Sequence, residues 1–209
     1  AAAPVLEADV YMPTVSSVVM KDKAVLASCD RFEIETFTMT VTDQVLVSYL
    51  DVACSTGEIN VSKNAQVTGS AVVTSKMYLN VSNSGQASFT QRNGNAFVSV
   101  SNSAYVDYKA NLNMIEVEAA GGSESHISGS ASFLTVTGSG LSMIDSQLLE
   151  SQDGSVILSG SAKCYVNVTD HLKVNLTGGS KLTFHRNPTF EIDRVVGSTL
   201  VRADDVRKK

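Results

Sequence analysis

The stretch Leu79-Asn80-Val81-Ser82 and its counterpart Val98-Ser99-Val100-Ser101 decide the fold of this chain. In both stretches apolar and polar residues alternate, so that the aliphatic side chains all fall on one face. A period of two is typical of a β-strand with one buried face, whereas a buried helix face needs apolar residues at a period near 3.6. The two stretches begin 19 residues apart, and this spacing indicates a structural repeat.

The alternating unit recurs nine times between Met39 and Asp193. Its first and third positions are apolar in every unit, and its second position is polar in all units except the one that contains Ile157. The third positions fall at 41, 61, 81, 100, 117, 136, 158, 174 and 192, at a mean interval of about 19 residues. Similar strands at one interval predict a solenoid, in which each strand lies on its equivalent in the previous coil.

Small residues follow most of the units, as in Ser84-Gly85 and Ser139-Gly140, and they favour sharp corners between strands. We therefore predict an all-β fold, a single-stranded right-handed parallel β-helix of about nine coils with roughly 19 residues per coil. The predicted single domain consists of an N-terminal β cap over residues 1–38, repeat coils over residues 39–201 and a polar tail over residues 202–209. The cap contains predicted strands at residues 5–10, 15–20 and 32–37.

Composition and charge exclude several classes of protein. With 43% hydrophobic and 18% charged residues, the chain is typical of a folded protein and not of a disordered one. Its net charge of −5 gives it no general attraction for nucleic acid, whose binding requires clustered Lys and Arg. No run of 18 apolar residues occurs, so no transmembrane helix is expected. The opening Ala1-Ala2-Ala3-Pro4 favours an exported protein from which a signal or lipoprotein leader has been removed.

The three cysteines, Cys29, Cys54 and Cys164, are widely spaced and form no CxxC motif. A disulfide between Cys29 and Cys54 stays open, and buried free thiols are the preferred interpretation. No metal-ligand spacing links the cysteines to the histidines. Neither a metal nor another cofactor is therefore expected.

The C-terminal two-thirds of the chain resembles the head GIN domain family of auto-transporter adhesins. The resemblance rests on the order of five strings within residues 75–200: Val156-Ile157-Leu158-Ser159-Gly160-Ser161-Ala162, Val166-Asn167-Val168-Thr169, Leu176-Thr177-Gly178-Gly179-Ser180-Lys181-Leu182-Thr183-Phe184, Asn187-Pro188 and Gly197-Ser198. It implies a β-helical domain exported to the periplasm, the outer membrane surface or the extracellular space of Gram-negative gut bacteria. It brings no catalytic motif, and the chain departs from the family's pattern before residue 60.

A group of carboxylates lies in the longest interval between repeat units, from Val136 to Leu158, which contains Asp145, Glu150 and Asp153. Parallel β-helices also carry polysaccharide-cleaving enzymes, and these need clustered carboxylates on adjacent coils. We interpret the interval as a solvated loop that bulges from the coil. A carboxylate pair or a cation site is the alternative interpretation.

Three aromatic residues precede the repeat strand at positions that the spacing makes equivalent: Tyr78, Phe97 and Phe133. With Met114 between them in sequence, they predict a stack along the rod. If the stack faces outward, it is a sugar-binding stripe, because pyranose rings pack on aromatic faces. If it packs beneath a corner, it belongs to the core, and the sequence leaves both possibilities open.

The preferred function is that of a non-catalytic cell-surface or envelope binding module, an adhesin that recognises glycan or protein on a host or neighbouring cell through a flat solenoid face. One alternative is a carbohydrate-active β-helix enzyme that uses the carboxylates near residues 145–153. The other is a purely architectural repeat domain. The sequence leaves the oligomeric state open.

Overall fold

The computed structural model describes residues 14–27 and 30–203. The fold is all-β, with 77% of the described residues in strands, and forms a parallel β-solenoid of about 10 turns with about 19 residues per coil. The predicted fold class is confirmed, with one turn more than the repeat count indicated. No helix among the described residues is long and apolar enough to cross a membrane.

Fourteen strands build the described part of the chain: β1 Ser17–Met20, β2 Val25–Ala27, β3 Phe32–Val41, β4 Leu46–Ser62, β5 Gln66–Ser82, β6 Gln86–Arg92, β7 Asn95–Ser101, β8 Tyr105–Ala120, β9 Glu124–Gly138, β10 Met143–Leu158, β11 Lys163–Thr177, β12 Lys181–His185, β13 Thr189–Val196 and β14 Thr199–Arg202. The main order is β1-β3-β4-β5-β6-β8-β9-β10-β11-β12-β14, and β2, β7 and β13 pair beside it. The longest strands bend through most of one turn, whereas β6 and β7 share a turn that is interrupted at Asn93-Gly94.

The residues of the predicted N-terminal cap join the same parallel ladder as the coils, and the boundary at residue 38 stays a prediction. Strand β1 pairs in parallel with β3, and β2 pairs in parallel with β4, so the described ladder begins at Ser17. In β1 and β2 every second residue faces inward, as in the later coils, even though the sequence of these two strands departs from the repeat. The strand predicted at residues 5–10 and nearly all of the predicted polar tail lie outside the described residues.

The register of the stack differs from the register that the sequence pattern predicts. Val98 pairs with Val117, and Val117 pairs with Val136, although the pattern had aligned Val100 with Val117. The intervals between repeat units are therefore uneven because, after Val100, the sequence pattern aligns residues that lie two positions away from the residues that pair. Because side chains alternate with period two, such a slip keeps the same residues inward. The inward positions of the first eight units are buried as predicted, whereas in the last unit Phe190 is partly buried and Ile192 is 55% exposed.

The core is one continuous apolar column along the solenoid axis, and Met39, Ile59, Leu79, Val98 and Val117 occupy successive levels of it with 0–2% exposure. Each level is covered by the same position of the next coil, which also completes the backbone hydrogen bonds. Folding is consequently cooperative between neighbouring coils.

The corners that join successive coils fall into two groups. In the first five, two consecutive non-glycine residues have positive φ: Asp22-Lys23, Asp43-Gln44, Lys63-Asn64, Asn83-Ser84 and Asn102-Ser103. In the next five, glycine takes the positive φ: Gly121, Gly140, Gly160, Gly178 and Gly197. Corners also stack through backbone hydrogen bonds, as where the amide of Leu141 donates to the Gly121 carbonyl at 2.7 Å.

Two described cysteines, Cys54 and Cys164, are buried free thiols. Burial raises the pKa of both thiols, and the neighbouring Asp145 carboxylate raises the pKa of Cys164 further. Both groups therefore stay protonated and unreactive at neutral pH. Cys29 lies outside the described residues.

A buried polar contact lies beside the interruption between β6 and β7. The Tyr108 hydroxyl donates to Gln91 Oε1, while Gln91 Nε2 donates to the carbonyls of Asn93 at 2.9 Å and Asn95 at 3.2 Å. Burial raises the pKa of Tyr108 far above its ordinary value, so the hydroxyl stays protonated and can donate. Gln91 thereby satisfies backbone groups that the ladder leaves free at this bend.

Replacing Tyr108 with phenylalanine is expected to lower the free energy of unfolding by about 1–3 kcal/mol, because Gln91 Oε1 stays buried and loses its donor. Urea denaturation followed by circular dichroism measures the change. Tyr105→Phe is the matched control, because Tyr105 is 38% exposed and water can replace its contacts. Equal stability of the wild type and the Tyr108→Phe variant would contradict the assigned role of this hydrogen bond.

Candidate functional site

Tyr78 and Phe97 form a stacked pair on the outside of the solenoid. Tyr78 in β5 pairs directly with Phe97 in β7, and the ring centroids lie 4.9 Å apart with an interplanar angle of 17°. Both side chains are partly exposed, whereas Met77 and Ala96, which precede them, are buried with 0% exposure. The alternation therefore holds at this point, and the two rings face outward. We call Tyr78 and Phe97 the aromatic platform.

Phe133 does not belong to the aromatic platform, so the predicted row of three aromatic residues is wrong. Phe133 pairs with Met114, whereas the partner of Phe97 in the next coil is Glu116. The error has the same origin as the register slip, since the sequence pattern aligned residues that lie two positions apart. Phe133 lines a separate groove with a volume of about 590 Å³, together with Asp153, His171, Lys173, Phe190 and Glu191.

Polar side chains surround the aromatic platform. Across the parallel ladder, Glu58 pairs with Tyr78 from the preceding coil, and Glu116 pairs with Phe97 from the following coil. In the adjacent outward row, Asn80 Nδ2 donates to Asn60 Oδ1 at 2.9 Å, and Asn60 Nδ2 donates to Glu58 Oε1 at 3.0 Å. These hydrogen bonds fix the amides before a ligand arrives, so that partly exposed aromatic surface lies beside ordered donors and acceptors.

The expected loop around Asp145, Glu150 and Asp153 is absent, because β10 runs as one strand from Met143 to Leu158. The interval looked long only because it was measured between positions that do not stack, and the equivalent residues Val136 and Val156 pair directly. What the structure contains instead is a bulge within the strand, where β10 has one residue more than β9 between Asp145 and Leu148 and three residues more than β11 between Ser146 and Glu150.

The three carboxylates contact different partners. Asp145 accepts hydrogen bonds from the backbone amide of Gln147 at 3.1 Å and from its side-chain amide at 3.0 Å. Glu150 Oε2 lies 3.2 Å from Arg186 Nη2, and Asp153 Oδ1 lies 2.9 Å from His171 Nδ1. Each of the three carboxylates thus has its own hydrogen-bond or ion-pair partner.

The structure brings no metal-binding cluster together in the part of the chain that it describes, where groups of three or more His, Cys, Asp or Glu with suitable geometry are absent. Two histidines instead contact carboxylates. His126 Nε2 lies 2.7 Å from Glu124 Oε1 and His126 Nδ1 lies 3.9 Å from Asp145 Oδ2, while His171 contacts Asp153.

Sequence reasoning missed one exposed aromatic residue, Tyr49, whose side chain is 80% exposed beside a concavity of about 540 Å³. The sequence contains a signal for Tyr49, because the buried residues Val47 and Leu50 are three positions apart, and three is an odd interval. Period two cannot place both side chains inward without an extra residue in the strand. The break therefore predicts a β-bulge, and Tyr49 occupies it.

Comparison with known proteins gives one match. The family described as "Putative auto-transporter adhesin, head GIN domain" matches residues 23–188, which include the aromatic platform, Tyr49 and the carboxylates of β10. No curated protein and no solved structure matches the chain.

Proposed function

Because the chain belongs to the head GIN domain family of auto-transporter adhesins, we propose that it is a non-catalytic binding module of an exported or cell-surface protein. It recognises glycan or protein on a host or neighbouring cell through the solenoid face that carries the aromatic platform. The family suggests a surface-binding role, and the described face supplies the chemistry for it.

The observation that carries this proposal is the outward stacking of Tyr78 on Phe97. Stacking covers the facing sides of the two rings, so a ligand contacts their edges and outer faces, and the CH groups on one side of a pyranose ring pack on aromatic surface of this kind. The ordered amides of Asn60 and Asn80 and the carboxylate of Glu58 lie beside the rings and can bond the sugar hydroxyls. For a protein ligand, the same rings would act as aromatic anchors with a polar rim.

A non-catalytic role is favoured over a carbohydrate-active enzyme. Glycoside cleavage uses two carboxyl groups about 5–10 Å apart that face the same bond. The three carboxylates of β10 instead contact Gln147, Arg186 and His171 respectively.

The proposal predicts that the double variant Tyr78→Ala/Phe97→Ala loses binding, with affinity for its glycan or protein ligand reduced at least about ten-fold, because aromatic anchors dominate small interfaces. A glycan array and immobilised mucin identify the ligand, and biolayer interferometry measures the affinities. Tyr105→Ala is the control, since it removes a 38% exposed ring outside the platform. Undiminished binding of the double variant would refute the role of the platform.

Absence of binding by the wild type to every glycan and to mucin would remove the glycan ligand from the proposal. Binding to a protein partner that depends on Tyr78 and Phe97 would then be the remaining form of the proposal. If size-exclusion chromatography at several concentrations showed self-association through the solenoid ends and no ligand were found, the architectural alternative would replace it.

A further inference from the structure

Tyr49 stands at a β-bulge in β4, on the opposite side of the corner from the strand segments that carry the aromatic platform. Val47 pairs with Val67 and Leu50 pairs with Gly69, so β4 has one residue more than β5 over this segment. Tyr49 has φ +60° and a side chain that is 80% exposed. The bulge therefore directs the ring into solvent, where it covers none of the core.

A tyrosine is an unexpected residue for this backbone conformation. The other described non-glycine residues with positive φ are Asp, Asn, Ser, Lys, Gln or Arg, so Tyr49 is the only aromatic or apolar member of the described set. Glycine or asparagine would accept the conformation with less strain and without an exposed aromatic surface. Strained residues that persist with exposed rings are typical of contact sites, because neither feature contributes to folding.

Gly69 makes room for the bulge in the neighbouring coil. A Cβ atom at Gly69 would lie 2.6 Å from the Leu50 carbonyl oxygen, so only glycine lets the bulged backbone approach this closely. The result is a concavity of about 540 Å³ lined by Ser48, Tyr49, Asp51, Thr68 and Ser70, among others. This volume is within the range of small-molecule sites.

The polar groups of the concavity are ordered and balanced in charge. Asp51 Oδ2 accepts a hydrogen bond from Arg31 Nε at 3.0 Å, and Asp51 Oδ1 accepts one from Ser70 Oγ at 3.2 Å. The ion pair with Arg31 offsets the charge of Asp51, so the concavity favours neither anions nor cations. The hydroxyls of Ser70 and Thr68 are held in place, the latter by the Val47 carbonyl at 3.3 Å.

We propose that Tyr49, Asp51 and Ser70 form a binding site for one neutral hexopyranose residue, separate from the aromatic platform. The sugar ring packs on the Tyr49 ring, and its hydroxyls bond to the Asp51 carboxylate and the adjacent hydroxyl groups. An aromatic face beside a fixed carboxylate in a site without net charge suits a neutral polyhydroxylated ring better than an anionic sugar or a basic peptide.

Saturation-transfer NMR on the full chain tests the site with methyl glycosides of glucose, galactose and mannose, and with sialic acid as the anionic comparison. We expect at least one neutral glycoside to bind in the millimolar range. Tyr49→Ala should weaken that binding at least about ten-fold, and Tyr49→Phe should retain it. Leu148→Ala is the control, because it removes a 74% exposed apolar side chain at the bulge of β10.

The Tyr78→Ala/Phe97→Ala variant separates this site from the aromatic platform, since binding at Tyr49 should survive in it. The proposal is overturned if no neutral glycoside receives saturation, if sialic acid binds as tightly, or if Tyr49→Ala binds like the wild type. Asp51→Asn provides a second variant that keeps the shape of the site, and it should weaken the same glycoside several-fold. Circular dichroism verifies that each variant is folded.

Discussion

Replacement of Gly129 by alanine is expected to lower the free energy of unfolding by roughly 3–5 kcal/mol, the largest effect expected from alanine at any glycine of this chain. Gly129 lies within β9 at φ +106°, a conformation that L side chains rarely adopt. A Cβ atom there would overlap the carbonyl oxygen of Ala110 in the previous coil. Because Ala110 and Gly129 are paired across the parallel ladder, neither strand can withdraw without loss of hydrogen bonds.

The matched control is Gly122→Ala, at a corner on the same coil. Its nearest contact would be Ser103 Oγ at 3.9 Å, and its φ is not in the left-handed region, so stability should change by less than about 0.5 kcal/mol. Guanidinium denaturation of both variants measures the difference. If the two variants were equally stable, the close approach of coils at Gly129 would be wrong.

Leu134→Ala is expected to lower the free energy of unfolding by about 2–5 kcal/mol, because it opens a cavity in the continuous core. Leu134 is 0% exposed and pairs with Ile115 in one neighbouring coil and Gly154 in the other. Gly154 has no side chain of its own, and the space above it is already filled by Val168 and Leu172. Thermal and urea denaturation measure the loss.

Ile157→Thr is the comparison for this truncation. Ile157 lies in the same sheet but faces outward, is 46% exposed and pairs with Thr137 and Asn175. Its replacement should change stability by less than about 0.5 kcal/mol. A larger loss from Ile157→Thr than from Leu134→Ala would contradict the assignment of inward and outward faces.

The aromatic platform and the Tyr49 site differ in how far the sequence could predict them. The outward alternation of Tyr78 and Phe97 follows from period two, and both residues were predicted as neighbours on one row. Phe133 was assigned to that row wrongly, because its place depends on a register that only pairing defines. Tyr49 was missed, since its importance comes from a bulge and from the space above Gly69 in the next coil.

The sequence by itself determined that the chain alternates apolar and polar residues, that the unit repeats at about 19 residues and that one face of each strand is buried. These properties are local, because they depend only on the geometry of a single extended strand. Tertiary structure alone decided the register between coils, the space above the bulge at Tyr49 and the partners of Asp145, Glu150 and Asp153. A shift of two residues preserves the inward face and so leaves the hydrophobic pattern unchanged, and only the hydrogen bonds, corners and side-chain volumes of neighbouring coils distinguish one such register from another.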